Sequence, residues 1–513
     1  MAHAERDAEA SPNLVRGLGP TDATMIVMGS MIGSGIFITS ADSARLVGAP
    51  GWLLVAWGLA GLMTITGALC CAELAAMMPR AGGQYVFLRE AYGPLAGFLF
   101  GWATFLVVQT GTIAAVSVAF ARFLGVLVPW VSDKHYLIDP QVFGSYAVSL
   151  TTQQLVAIIL IVSLTITNMR GLRTGSLIQN IFTFAKTAAL IALIVAGLSL
   201  GFNRESAAFS SSWWDPVANG WEPTIVTGRL GVVGGLAFAL LLGKAMIGPL
   251  FSQSAWNNVT FTGGETRDPG KTLPRALLIG CGSVVGLYML ANLAYIVTLP
   301  LGATAKDLPP FGIRNAPSDR VGTLLMQVVL GDPGTIAMAV AILISTFGCV
   351  NGLTLAGARV YYAMARDGLF FASAGTTNRR HVPAIALMAQ GMWSALLVLP
   401  VTVTLDKAKN VPVYGNLYSD LLDYIIPVDV LFYTLMVLAV VVLRRRQPGL
   451  ARPYRTWFYP LPVLIYVGLA VLLVLDFVIL APGTSGVGFL IVLTGIPVYL
   501  VWSRSGSIAT VKG

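Results

Sequence analysis

Between Gly29 and Phe37 the chain reads GSMIGSGIF, three glycines and two serines inside a long apolar segment. A backbone opened at bilayer depth leaves N–H and C=O groups unpaired, at several kcal/mol each, unless it borders a cavity. N–H groups freed at the start of a half-helix bind carboxylates, and the positive end of the helix dipole adds to the attraction. A second interruption, GPLFSQSAWNN, runs from Gly248 to Asn258. Pro249 removes a backbone donor there, and Ser252, Gln253 and Ser254 continue a helix poorly. Lys186 and Asp429 stand inside other apolar runs, where ionisable groups are costly and usually functional. These residues suit reversible binding of a small molecule with an anionic end, at mid-membrane depth.

The surrounding elements follow from composition. Of 513 residues, 56% are hydrophobic and only 11% charged, against about a quarter charged in soluble proteins. Mean hydropathy is +0.77. The chain therefore reads as an all-α polytopic membrane protein. Twelve spans of about 20 apolar residues are expected at 21–46, 51–78, 94–128, 150–168, 177–200, 227–260, 276–299, 333–362, 383–404, 420–443, 459–481 and 485–503. Twelve spans put both termini on one side. Of the 32 Lys and Arg, twenty fall on that side, nine opposite, and three (Arg122, Lys186 and Lys244) within spans. Positive-inside bias then predicts cytoplasmic termini. It also explains the +9 net charge without a nucleic-acid partner. The polar opening MAHAERDAEASPNLVRGLGP lacks an apolar core behind a basic end and does not read as a cleaved leader. The loops 129–149, 201–226, 300–332 and 405–419 hold aromatics, Pro and Asp, which suits small ordered caps.

Five spans separate the two interruptions. An odd number inverts topology, so spans one to five (21–200) and six to ten (227–443) read as antiparallel repeats. Spans eleven and twelve (459–503) are additions, and 1–20 and 504–513 are tails. Paired breaks in matching places point to a midplane binding site. Close helix packing through small residues is the simpler reading of either break alone.

The ordered motifs GSMIGSGIF, CAELAAMMPRAGGQY with REAYGPLAGF, IQNIFTFAK, LFSQSAWNNVTFTGGE with LPRA, FGCVNG and LRRRQPGLARPYR resemble the amino acid–polyamine–organocation (APC) transporters, L-type branch, over roughly residues 18–460. The resemblance implies a five-plus-five inverted repeat with discontinuous first and sixth helices. It implies a substrate site at Met31, Gly33, Ser34, Gly35, Phe251, Ser252, Ser254 and Trp256. The substrate carboxylate would rest on Ser34 and Gly35, and its ammonium on carbonyls of Met31, Phe251 and Ser254. Phe251 would close over the substrate from outside. Lys186 would stand where sodium-coupled relatives hold a cation, as a fixed strut or a proton carrier. Asp429 would line the side-chain end of the pocket, favouring a cationic substrate, taking a proton, or simply being capped by neighbouring hydroxyls. Ser254 and Ala255 replace a pair of glycines common in the branch, which should narrow the pocket or stiffen the break.

The expected function is sodium-independent transport of neutral or broad-range L-amino acids by alternating access, with exchange favoured over proton symport. Cationic amino acids or polyamines are an alternative cargo, and a non-transporting sensor a weaker one. Only three histidines occur, all in tails or loops, and no nucleotide-binding P-loop, so neither an enzyme nor a primary pump is expected. No cofactor and no metal are expected. The four cysteines lie in apolar runs and none is in loop 129–149, so no disulfide-linked subunit is expected. The expected form is a monomer in a bacterial inner membrane. Glu73 reads as a structural partner for nearby arginines, Arg122 as an interface anchor, and Lys244 as a vestibule or snorkelling residue.

Overall fold

The computed structural model describes residues 17–170, 172–204, 206–219, 221, 224–227, 230–302, 312–406, 411–480 and 482–504. The tail residues 1–16 and 505–513, with Lys306, Lys407 and Lys409, lie outside them. Among the described residues, eleven helices are long and apolar enough to cross a membrane, from Pro20–Val47 to Ser485–Ser503, and the apolar helix Ala384–Leu397 stands between the eighth and the tenth spans. Together they make twelve membrane-length or near-length elements in the expected order. Ile159, Phe184, Leu464 and Leu493 turn outward and are exposed, as lipid-facing residues are.

Both expected breaks are present. The first span is a helix Pro20–Met31 followed by a second, Gly35–Val47. The sixth is Gly235–Ala245 and Ile247–Ser252, then a turn before Asn258–Phe261.

Several boundaries differ from expectation. The sixth span starts at Gly235 rather than 227, because strands β3 (Thr224–Thr227) and β4 (Leu230–Val233) pair as a hairpin. The ninth stops at Leu397, where Pro400–Asp406 (PVTVTLD) forms a strand through its alternating β-branched residues. The seventh begins earlier, at Pro269. The eighth runs Val321–Arg366 through a kink at Gly331, whose φ of 69° only glycine adopts cheaply. The third, Pro94–Leu127, contains a π-helical turn at Thr104–Val108, a device common beside functional sites.

With β1 (Tyr136–Phe143), β2 (Tyr146–Thr151), β5 (Pro400–Asp406) and β6 (Val411–Tyr414), a four-stranded sheet β1-β2-β5-β6 ties the loop after span three to the loop after span nine. Glu73 fastens the opposite end. Its carboxylate accepts both arms of the Arg444 fork at 2.9 and 2.7 Å, and the Thr456 N–H at 2.7 Å, with Arg452 at 3.6 Å. The CAEL and LRRRQPGLARPYR motifs therefore meet through one buried carboxylate.

Candidate functional site

The opened segment Ile32–Ser34 exposes a row of carbonyls, and spans five, seven and eight supply their partners. Lys186 donates to the Gly29 carbonyl. Cys349 Sγ reaches the Ser30 carbonyl at 3.4 Å, and Tyr288 donates to Met31 at 2.9 Å. Ser345 donates to Ile32 and Gly33 at 3.3 and 3.2 Å, and Tyr295 to Ile36 at 3.1 Å. Buried carbonyls must be paired, and here side chains replace the missing helix bonds. The N–H groups of Gly35 and Ile36, which open Gly35–Val47, have no intrahelical acceptor, whereas that of Phe37 bonds the Ser34 carbonyl at 3.1 Å. Those two N–H groups, with the Ser34 hydroxyl, are the candidate donors of the site.

Close approach dictates the glycines. A Cβ on Gly35 would collide with the Ser252 hydroxyl, Cβ and backbone. A Cβ on Gly33 would lie 3.1 Å from Cys349 Sγ. Gly29 is packed against Gln179 and Thr183, which share one face of the fifth span with Lys186. Lys186 is fully buried.

At the second break Ser252 donates to the Gly248 carbonyl at 2.8 Å and stands 3.3 Å from the Thr39 hydroxyl. Ser254 turns its hydroxyl, at 2.9 Å, and its N–H, at 3.2 Å, to the Phe251 carbonyl, so that expected ammonium acceptor already receives two bonds. Ala255 has φ 64°, a left-handed conformation that costs an L-residue roughly 1–2 kcal/mol. Trp256 is buried and stacks on Tyr433 with centroids 4.8 Å apart.

Tyr418, near the start of span ten, joins the two breaks. Its hydroxyl lies 3.1 Å from Ser34 Oγ, and its ring meets Phe251 edge-on at 5.9 Å. The Arg122 guanidinium sits 5.5 Å from the ring centroid and donates to Asn416 Oδ1 at 2.7 Å. Arg122 is thus a rim residue facing inward rather than a lipid-interface anchor, because its helix face turns toward span ten. The sequence reading missed Tyr418, since one aromatic near a helix start carries no periodic signal.

Asp429 is not beside Ser34. It lies eleven residues beyond Tyr418 on the helix Leu417–Arg446, about 16 Å along the axis. The fold brings it instead to Ser254, Trp256 and Tyr433, in a small cavity. Lys244 lines a separate, narrow outer cleft with Asp42, Asp319, Asp423, Thr39 and Tyr418. Its charge therefore faces carboxylates.

Polar clasps close the end of the molecule beyond Trp256. Asn257 donates to Gln84 at 2.6 Å and accepts from Tyr433 at 2.9 Å, and Gln84 donates to the Phe432 carbonyl. Tyr85 donates to Asp367 at 2.7 Å beside Arg89. Burial, with the Asp367 carboxylate alongside, pushes the Tyr85 phenol well above its ordinary pKa, so it remains a donor.

Among the described residues, eleven membrane-length apolar helices and one shorter one, with the first and sixth spans broken at matching places, have the architecture of a polytopic membrane carrier. The chain belongs to the amino acid permease family, whose profile matches residues 18–502. It is 30% identical over 497 residues to Asc-type amino acid transporter 1 of Mus musculus, covering 95% of this chain and 81% of that protein. It is 29% identical over 504 residues to large neutral amino acids transporter small subunit 2 of Mus musculus, covering 96% and 83%. It is 27% identical over 475 residues to b(0,+)-type amino acid transporter 1 of Homo sapiens, covering 92% and 83%. These are carriers rather than enzymes.

Proposed function

We propose that the protein exchanges L-amino acids across a bacterial inner membrane by alternating access, without sodium and without a disulfide-linked subunit. The observation that supports this most is the pairing at the first break: free N–H groups at Ser34–Gly35 for a carboxylate, and a buried Lys186 on the Gly29 carbonyl. In this reading the ammonium rests on the second lone pair of Met31 and on the Ser254 carbonyl, and reaches the Phe251 carbonyl only if Ser254 gives up one of its two bonds to it. Gly33 and Ser252 shape the floor, and Phe251 and Trp256 bound the pocket on either side. Residues 21–200 and 227–443 act as the two inverted repeats, with both termini cytoplasmic. All four cysteines are buried and free, which agrees with a carrier acting alone as a monomer. The names of the relatives, Asc-type and large neutral amino acids transporters among them, support an amino-acid cargo.

Proteoliposomes in sodium-free buffer test the proposal. Uptake of a labelled amino acid only into vesicles preloaded with unlabelled amino acid is the expected result. Uptake into empty vesicles that follows an imposed proton gradient would instead establish symport. Tyr418 offers a sharper check on the carboxylate site. Substrate must displace its hydroxyl from Ser34, and a net hydrogen bond is worth ~0.5–1.5 kcal/mol. Tyr418→Phe keeps the ring on Phe251 and is expected to tighten substrate binding about 2- to 10-fold, read by radioligand saturation. Weaker binding would mean that the hydroxyl holds the substrate rather than competing with it.

A further inference from the structure

Span two lies between spans seven and eleven and is not fully covered by them. A Cβ on its Gly61 would touch Val285 of span seven, and one on its Gly67 would touch Tyr466 of span eleven. On the helical wheel Gly58, Leu62 and Ile65 fall between those contacts, and they stay open. Leu62 is exposed, Ile65 is half-buried, and a Cβ on Gly58 would meet nothing within 4 Å. The groove they line ends at Leu69, whose carbonyl accepts the Thr456 hydroxyl at 3.3 Å. Arg455 and Trp457 therefore flank its mouth, with Phe458 beyond. All three are exposed, Phe458 by 80%. The loop that carries them is held from below: Glu73 accepts the Thr456 N–H, and the Arg444 guanidinium sits 3.9 Å from the Tyr459 ring centroid.

Span seven adds charge to the same mouth. Its exposed residues Lys271, Arg275, Ile279 and Gly282 recur every three or four positions, as one helical stripe. Ile279 marks that stripe as lipid-facing, and Lys271 and Arg275 stand on it at headgroup level. The helix has 30 residues, so at about 45 Å it overhangs a ~30 Å hydrocarbon core at both ends. Its start meets the loop, since a Cβ on Gly270 would lie 3.5 Å from Pro453. Among the described residues Lys271, Arg275 and Arg455 have no side-chain hydrogen bond or ion pair. Asp268 is the only exposed carboxylate in segments 265–280 and 444–460, so the rim is net positive. Positive-inside bias accounts for basic residues on this side. It does not account for their standing unpaired on a lipid-facing stripe beside outward-turned rings.

We propose that this groove binds one anionic phospholipid from the leaflet on the Glu73 side, the cytoplasmic one in the orientation proposed above. The lipid phosphate lies among Lys271, Arg275 and Arg455. Trp457 and Phe458 pack at its glycerol level, where aromatic belts sit, and one acyl chain runs over Leu62. Basic clusters at a membrane edge attract anionic headgroups, whereas a zwitterionic headgroup brings its own ammonium to a rim already rich in cations. The site is separate from the broken helices and does not depend on what they carry.

Native mass spectrometry of the purified protein, released from micelles with equal amounts of phosphatidylglycerol and phosphatidylcholine, tests the proposal. The wild type is expected to retain one phosphatidylglycerol at least about tenfold more often than phosphatidylcholine, roughly the contribution of one or two basic side chains at an anionic surface. The triple variant Lys271→Gln, Arg275→Gln, Arg455→Gln is expected to lose that preference. A matched triple at the exposed arginines after span eight, Arg366→Gln, Arg379→Gln, Arg380→Gln, is expected to keep it. Equal retention of the two lipids by the wild type overturns the proposal without any variant. Equal loss in both triples also overturns it, since the effect is then one of overall charge. A lipid-free dimer would do the same, by showing that a second copy covers the groove. Failure to exchange any amino acid in vesicles of either lipid would sink the transport reading and leave this one standing.

Discussion

Gly35→Ala is expected to abolish amino-acid exchange. A Cβ at this position would overlap the Ser252 hydroxyl and Cβ and reach within 3.0 Å of its Cα. The Ser252 side chain has no free direction, because it donates to Gly248 and sits against Thr39. The two half-helices must therefore separate. Forcing extra methylenes into a packed contact costs about 1–3 kcal/mol. Here the same displacement also carries the Ser34–Gly35 donors away from Phe251. Chemistry over such donors is intolerant of shifts near 1 Å. Gly286 is a useful control: a Cβ there meets nothing within 4 Å. Gly286→Ala is expected to transport normally, with stability unchanged or raised by up to about 1 kcal/mol. Exchange by Gly35→Ala at the wild-type rate would show that the close approach of the two breaks is not needed for the cycle.

Lys186→Met is expected to reduce exchange at least tenfold while the protein stays as stable as the wild type. Methionine retains the length and apolar stem of lysine but cannot donate to Gly29. A hydrogen bond to a charged group contributes about 1.5–3 kcal/mol, so the opened segment loses one of its side-chain ties. Stability need not follow, because removing a buried charge also removes its desolvation cost. Exchange in sodium-free proteoliposomes and thermal unfolding in detergent separate the two effects. Loss of both together would make Lys186 a packing strut. Normal exchange would remove it from the transport cycle.

Much of this architecture was legible in the sequence, for identifiable reasons. Glycine and serine clusters loosen a helix, and because two such clusters stand at matching places five spans apart, both interruptions could be located to a few residues. A lysine among apolar neighbours, as at 186, has few places to go in a membrane. Glu73 could be matched to arginines because a carboxylate near a span end needs counter-charges. What escaped depends on contacts distant in the chain. The hairpin at 224–233 and the strand 400–406 are apolar enough to extend a helix by hydropathy, and only cross-strand pairing makes them sheet. The kink at Gly331 lets one helix run from Val321 to Arg366, although its first turns read as loop. Tyr418 gains its place from Ser34, Phe251 and Arg122, none of them near it in sequence. Asp429 was legible as an intramembrane acid, but its removal from Ser34 and its companionship with Ser254 and Tyr433 are set by the pitch of span ten. Ala255 holds a left-handed backbone that glycine would adopt without strain, at one of the two positions where the resemblance leads one to expect glycine.

The tether between Lys186 and Gly29 has a thermodynamic corollary. A lysine that keeps its proton throughout the cycle releases no charge on the far side of the membrane. The exchange cycle proposed around it then dissipates no ion gradient and draws no work from one. Net movement then stops when the ratios of the exchanged amino acids match on the two sides. Such a carrier balances the composition of two pools and leaves their total content to other systems. The direction in which it runs in a cell is set by metabolism on either side, not by anything stored in the protein.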